Sequence, residues 1–579
     1  MEDTIYMYVQ IQKSKSTEMI YIRKSVRKGS SVSKTVVEKL GRIDELMDSL
    51  HMTRDQVLEY ARKRADELEK MERDENSNIL LELSQNKQLI KDEQRRYCAG
   101  YLFLQDIFYD MKLNNMFRNL KSRHRYEYSL ESIFTDLVYA RIIDPSSKRS
   151  SYDTAKTFLE PPQYELHDVY RSLHILGEEM DYIQREIFRN SSYAVARDTS
   201  ALYYDCTNYY FEIEDEDELR RYGKSKEHRP NPIVGMGLFM DNNGIPLAFN
   251  IFPGNRNEQP TLKETEKQII REYGVERFVV CTDAGLSSKA NKLFNTIQQR
   301  SFITTQSIKK LNEELKGMAL GDEGWRRLSD RKKIKDLSEV RYSDSEEIYF
   351  KEFPSDNDMF EERIIVTYSP KHARYQKNIR DAQVRRAQSM ISERNFKKQR
   401  RNPNDPGRFI GRVSSTKEGE VADRDHYMLD EDRIAEEKLY DGFYGISTDL
   451  LDDDVSDIIA VCERRWEIEE SFRIMKTDFR ARPVYVSRED SIKAHFLICY
   501  TALLIYRILE KKLHEKYTTS QILKTIREYD LLKFPGRGYV PIFTRNEITD
   551  SLHAAFSFRT DVQILSTDKV RRIISETKK

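Results

Sequence analysis

Polar and apolar positions alternate through three short runs near the amino terminus, IYMYVQIQ, EMIYIRKSV and KTVVEKLG, broken by KSKS and RKGSS. A period of two with turn-forming breaks predicts a small β-meander with a basic surface over residues 5–41. From about 43 to 86 the pattern becomes helical and heavily charged, and from 97 to 190 it stays helical, with Phe, Leu, Ile and Tyr at helical spacing. Breaks fall at Asp144-Pro145-Ser146-Ser147 and Glu160-Pro161-Pro162. Near Ala201 the period returns to two. ALYYDCTNYYFEI, PIVGMGLFMD and IPLAFNIFPG read as strands, with Asn242-Asn243-Gly244 as the turn between the last two. TLKETEKQIIREYG then reads as a helix closed by Gly274, RFVVCTD as a buried strand, SSKANKLFNTIQQ as a helix and SFITT as a strand. The order is β-β-β-α-β-α-β. A long interruption follows, in which EEIYFKEF and ERIIVTYS look like strands; YDGFYGISTD then leads into a helix over 462–476. SREDSIKAHFLICYTALLIYRILEKKL reads as a long, largely buried helix, with His495 packed or hydrogen-bonded within it, and the C-terminal part carries no assignable chemistry.

A chain of 579 residues exceeds one core, and 34% charged with 39% hydrophobic residues describes several globular units with much polar surface. Formal net charge is zero, so attraction to a polyanion must come from local segregation of charge. Residues 371–412 provide it, with thirteen Lys or Arg against three Asp or Glu, a strip suited to a DNA backbone. Acids downstream in EVADRDHYMLDEDRIAEE and DLLDDDVSD would mask the strip until DNA binds. KSRHRYEYS, from Lys121, interleaves bases with tyrosines and fits either a nucleic-acid contact or a solvated loop. Five scattered cysteines without a C-x-x-C pair point to a reducing compartment and away from a zinc knuckle. MEDTIYMYVQ has no leader pattern and the apolar run 496–506 is too short for a bilayer, so the expected location is the cytoplasm.

On a regular helix over 462–476, Arg465, Glu469 and Lys476 stand at i−4, i and i+7 and project from nearly one face. Ile468, Phe472 and Met475 make a neighbouring apolar stripe that would seat the helix on a core. A solvated helix with ion pairs fits the same residues. The strand order bears on the choice. With the first strand central and the fourth parallel beside it, Asp205 and Asp283 become neighbours at the strand ends, and a helix laid across them brings in Glu469. Asp283 in TDAGLSS also fits simple capping of the next helix, and Glu469 competes with Glu467 and Glu470. Three carboxylates in one place repel, and the usual resolution is a hard divalent cation on oxygen ligands. Two Mg²⁺ ions, or Mn²⁺ in their place, would serve phosphoryl transfer, with Arg465 and Lys476 holding the phosphates of the strand being cut.

The pieces YYDCTNYYFE, GKSKEHRPNPIVGMGLFMDNNGIPLAFNIFPGN, VVCTDAGLSSK and CERRWEIEESFRIMK, followed by RPVYVSREDSIKAHFLICYTALLI, together resemble the catalytic core of bacterial insertion-sequence transposases of the DDE type. More narrowly they are similar to the group with a Y-x2-R-x3-E-x6-K signature. The resemblance covers 201–305 and 440–510, and KTVVEKLGRIDEL also resembles members of that group. It implies an α/β, RNase H-like mixed sheet flanked by helices and interrupted by an inserted domain, behind a β-meander and helical N-terminal region. It implies Asp205, Asp283 and Glu469 as the catalytic, metal-binding triad, and Arg465 and Lys476 as the signature cations that contact DNA. Cys462 stands where the signature tyrosine would be, so that phenol is missing or comes from elsewhere. The expected division is 1–95 and 96–200 for DNA binding or dimerisation, 201–305 and 440–510 for the catalytic domain, 306–439 for a basic β/α insert and 511–579 for a helical end. The expected activity is metal-dependent cleavage and strand transfer at the terminal inverted repeats of an element, by a homodimer on double-stranded DNA. A nuclease of the same fold that cuts without joining, and a catalytically silent DNA-binding derivative, are the rival readings.

Overall fold

The alternating N-terminal runs form a meander of three antiparallel strands, β1 (Thr4–Ser14), β2 (Thr17–Lys28) and β3 (Ser31–Arg42). Met7, Ile20 and Ile22 turn one face inward against α1 (Ile43–Leu50) and α2 (Arg54–Asn76), which contribute Ile43, Val57, Ala61 and Ala65. The computed structural model describes residues 4–14, 17–28, 31–76, 83–355, 358–393, 404–415 and 421–579. Part of the helical stretch expected over 43–86, namely 77–82, lies outside them. The chain forms two compact units, one of Met1–Arg95, Lys533–Val540 and Gln563–Thr567, the other of Arg96–Leu532, Pro541–Val562 and Asp568–Lys579.

The second unit opens with β4 (Arg96–Cys98) and the helices α3 (Tyr101–Asp110), α4 (Asn114–Arg123), α5 (Leu130–Ile143), α6 (Lys148–Ala155), α7 (Leu166–Glu178) and α8 (Met180–Ser191). The Asp144–Ser147 break works through its last residue: Ser147 Oγ accepts from the Ser150 amide and starts α6. Next come β5 (Ala201–Tyr210), β6 (Ile233–Asp241), β7 (Pro246–Pro253), α9 (Gln259–Gln268), β8 (Phe278–Thr282), α10 (Lys289–Asn295) and β9 (Arg300–Gln306). β5, β6 and β7 are antiparallel, β8 lies parallel to β5, and β9 parallel to β8. The order β7-β6-β5-β8-β9, with the first of these strands central, is the RNase H-like arrangement. The hairpin between β6 and β7 turns at Gly244, whose φ of 74° suits a residue without Cβ.

The interruption holds α11 (Glu313–Leu320), β10 (Arg326–Arg327), β11 (Tyr349–Pro354), β12 (Arg363–Tyr368), α12 (Pro370–Glu393), β13 (Ile410–Ser415), β14 (Val421–Leu429) and α13 (Glu431–Lys438), and ends at β15 (Phe443–Thr448). β15 pairs antiparallel with β9, and β12, β11 and β10 continue outward to make nine strands. The region 306–439, expected as an insert, thus extends the sheet with its first half. The reason is its alternation: Tyr349, Phe353, Ile364, Val366 and Tyr368 bury one face around Trp325. α12, the β13–β14 ribbon and α13 stand apart from the sheet around a small core of Ala387, Phe409 and Ile410. Residues 394–403 of the basic strip lie outside the described residues.

After β15 come α14 (Val455–Glu463), α15 (Trp466–Arg473) and α16 (Glu489–Lys512). α16 runs through the core; it is long and apolar enough to cross a membrane, yet 94% of its apolar window is buried inside the protein. It approaches α7 so closely that a Cβ on Gly177 would stand 2.0 Å from the Asp490 carbonyl oxygen. The residues beyond 511, expected as one helical region, contain α17 (Thr519–Arg527), β16 (Asp530–Phe534), β17 (Gly538–Pro541), α18 (Glu547–Ala555) and α19 (Thr567–Glu576), and they divide between the two units. All five cysteines are free and buried.

Candidate active site

β5 and β8 run parallel with Tyr204 opposite Thr282, so Asp205 and Asp283 follow side by side, one residue past the last registered pair. Asp205 is half-buried, and its Oδ1 accepts from the Cys206 amide at 2.8 Å. Burial first, and the charge of Asp283 second to it in the same sense, push the Asp205 carboxyl up to about 6, against the opposing pull of Lys226. Asp283 Oδ1 accepts from the amides of Gly285 and Leu286 at 2.9 and 3.2 Å. It braces its own turn and caps no helix, because Ser288 caps α10.

The stretch 462–476, expected as one helix, is broken twice. α14 ends at Glu463, α15 starts at Trp466, and from Ile474 to Asp478 the chain takes a wider π turn. Ile468, Phe472 and Met475 nevertheless face the core as expected. Arg465 Nη2 binds Glu469 Oε1 at 3.0 Å. Burial opposes the Arg465 charge, yet Glu469, Tyr444, Asp205 and Asp283 around it hold the guanidinium above its ordinary range. The rival acids are committed elsewhere. Glu467 pairs with Arg464 and lies against the Gly244 turn, and Glu470 pairs with Arg473. Glu469 itself is 56% exposed.

Lys476 does not flank Glu469, contrary to the regular-helix reading, because the π turn alters the register after Arg473. Its Nζ donates to Thr207 Oγ1 on β5 at 2.6 Å and pairs with Glu227 at 3.6 Å. Burial and then Lys226 push its ammonium down to about 8, with Asp205 pulling the other way. Lys476 therefore belongs to the Asp205 end of the site.

Three contributors were not visible as site residues in the sequence. Lys226 Nζ donates to the Cys206 carbonyl beside Asp205, and Glu227 pairs with both Lys476 and Arg482. Both residues come from the long β5–β6 connection, whose GKSKEHRP stretch carries no helical or strand period. The third is Tyr444. Its hydroxyl lies 3.7 Å from Cys462 Sγ, so a phenol from β15 reaches the position where the signature tyrosine is absent. Tyr444, Arg465, Trp466 and Glu469 line one cavity of about 450 Å³, and Trp466 is 60% exposed there.

The donors of Asp205, Asp283 and Glu469 are all oxygen, which fits a hard divalent cation, and the charge of Asp283 adds to burial in raising the Asp205 carboxyl, a repulsion that such a cation would offset. Among the described residues no three acidic, histidine or cysteine side chains already stand at ligating distances from one point.

A search of curated proteins found no match. Among solved structures, the cryo-EM structure of a piggyBac transposase synaptic complex with hairpin DNA aligns over 83% of this chain and 84% of its own, at 8% identity and a TM-score of 0.35, too weak a likeness to argue from. The family described as the transposase DDE domain matches residues 211–505, a span that opens six residues after Asp205 and includes Asp283, Arg465, Glu469 and Lys476. With half of its length so matched and an RNase H-like sheet beneath the match, the chain belongs to the DDE-domain transposases.

Proposed function

We propose that this transposase binds the terminal inverted repeats of an insertion sequence, cleaves the DNA to expose 3′-hydroxyls, and joins those ends to target DNA. The observation that carries the reading is the side-by-side placement of Asp205 and Asp283 on adjoining parallel strands, with Arg465 reaching from α15 into the field of both. Asp205, Asp283 and Glu469 are the residues that would hold two Mg²⁺ ions, or Mn²⁺ in their place. When bound, such ions supply the Lewis acidity for an in-line displacement at phosphorus.

The chain's own groups prepare that reaction. Lys226 and Arg465 offset the charge of the acids and keep Asp205 from a still higher pKa. Lys476, fixed by Thr207 and Glu227, points a cation at the Asp205 end, where a scissile phosphate would lie. The Tyr444 hydroxyl, which among the described residues meets the Cys462 thiol, is a donor for a phosphate oxygen on the Glu469 side. Two DNA ends in one reaction call for two copies of the chain.

The test is cleavage of a labelled duplex carrying the element's own end, with Mg²⁺, by wild type, Glu469→Gln and Glu470→Gln. Loss of cutting in Glu469→Gln alone, with DNA binding retained, supports the assignment. Normal cutting by Glu469→Gln removes Glu469 from the site and favours the DNA-binding derivative. A second arm with pre-cleaved ends separates strand transfer from plain nuclease action.

A further inference from the structure

At the end of the π turn, a cavity of about 320 Å³ opens between α5, α6, α16 and the segment 480–486. Arg141, Lys148, Arg480, Arg482 and His495 line it, and among the described residues no acidic side chain does. We propose that this cavity is a phosphate-binding site, held by Lys148 and Arg141 with Arg480 at its mouth, that takes a backbone phosphate of the bound DNA; in that form it rests on the DNA-acting reading above.

Lys148 carries the argument. It is 4% exposed, and a lysine that deep ordinarily has a carboxylate partner. Here its only hydrogen-bond partner among the described residues is His495 Nδ1, at 3.3 Å. The His495 ring cannot be charged in that arrangement. Its Nε2 donates to the Ala481 carbonyl at 3.0 Å, so its Nδ1 is the lone pair that accepts from the lysine. Arg141 is likewise 2% exposed and has no carboxylate partner among the described residues. Its guanidinium donates to the carbonyls of Ser146, Phe479 and Arg480, while its Nε has no partner among the described residues. Two buried cations face one cavity that two further arginines, Arg480 and Arg482, also line, and burial and then Arg141 push Lys148 down to about 7. An anion entering the cavity would relieve that repulsion.

Phosphate suits the remaining features. The N-terminal turn of α6, begun by Ser147, abuts the cavity, and helix starts favour anions. Arg482, itself paired with Glu227, links the cavity to Lys476 and so to Thr207, two residues beyond Asp205. A strand lying on Lys476 therefore has a second anchor along the same chain of contacts.

The experiment uses the full chain, with Lys148→Met and Arg480→Gln beside wild type, and two probes. Inorganic phosphate should raise the melting temperature of wild type by a few degrees at saturation and that of Lys148→Met by none. A duplex bearing the element's end should bind Lys148→Met about tenfold more weakly, with the slope of log K against log salt smaller by about one, and Arg480→Gln should move in the same direction. Stabilisation by phosphate with unchanged duplex binding assigns the site to a free phosphate instead. No phosphate effect on wild type together with equal duplex binding by all three proteins overturns the proposal. Failure of wild type to bind any duplex would sink the DNA-acting reading, and the phosphate arm would still judge the cavity. Arg480→Gln, on an exposed side chain, guards against misfolding of the buried variant.

Discussion

Arg465 binds Glu469 across one helical turn at 3.0 Å while the same guanidinium stands in the field of Asp205 and Asp283. One cation thus answers to three carboxylates from three elements, β5, the end of β8, and α15. Exposed i,i+4 pairs contribute little to stability, so the value of this one lies in what it does to the other two acids. Arg465→Gln should leave the fold intact and lower the cleavage rate about 100-fold at saturating Mg²⁺, the size seen when a preorganised charge or donor is removed from a reaction centre. Arg465→Lys should recover part of the loss. A cleavage rate within twofold of wild type for Arg465→Gln would reduce the contact to a surface ion pair.

Asp205 gives an independent reading that needs no DNA. Its folded carboxyl, raised from 3.8 to about 6 mainly by burial, binds its proton more tightly than the unfolded chain does. Stability from this group is therefore full below pH 3.8 and is lost as pH rises through about 6. Asp205→Asn should raise the stability of the metal-free protein at pH 7.5 by about 1–3 kcal/mol. Mg²⁺ should raise the melting temperature of wild type, and the same variant should abolish that increase. A destabilised Asp205→Asn that still responds to Mg²⁺ would place the ion elsewhere.

The sheet was legible because its signals are local. Asn242-Asn243-Gly244 marks the hairpin, Gly274 in the left-handed region closes the helical turns that follow α9, and period-two runs identify β5 to β9, so the strand order by itself makes Asp205 and Asp283 neighbours. β11 and β12 are legible as strands but not as part of the sheet, since the pairing of β12 to β15 that joins them to it spans about 80 residues of sequence and no local pattern records it. The register of α15 failed for another reason. A helix-long run of good helix formers gives no sign of the break at 464–465 or of the π turn, and each alters where a side chain points; a regular helix sets Lys476 on the face of Glu469, whereas it faces Thr207. Tyr444 and Lys226 reach the site only through strand pairing and a long connection, and a residue type alone carries no such information.

Tyr444 offers a phenol where Cys462 leaves a gap. A thiol is a weak partner for a hydroxyl, so Tyr444→Phe should change the melting temperature little. If the phenol donates to DNA near the cleaved bond, the same variant should lower the cleavage rate about tenfold while duplex affinity stays within a factor of about two. Equal cleavage by Tyr444→Phe and wild type would mean that the hydroxyl only packs against Cys462.

Glu266 lies beneath the sheet on α9, fully buried, with Oε1 accepting from Asn295 Nδ2 at 2.9 Å and Oε2 without a partner among the described residues. Burial pushes its carboxyl up to about 8, with Asn295 and Arg300 pulling it back only in part, so the folded protein holds this proton at neutral pH. The unfolded chain releases it near 4.5. Between those values the folded state binds one proton more than the unfolded state, and stability from this group falls by about 1.4 kcal/mol per pH unit as pH rises. Glu266→Gln keeps the shape of the neutral acid and removes the titration. The variant and wild type should unfold at similar temperatures near pH 5, and the variant should be more stable by about 2–4 kcal/mol at pH 9. Parallel melting curves across that range would show that Glu266 is charged in the fold, compensated by Arg300, and that the α9–α10 contact tolerates a buried carboxylate.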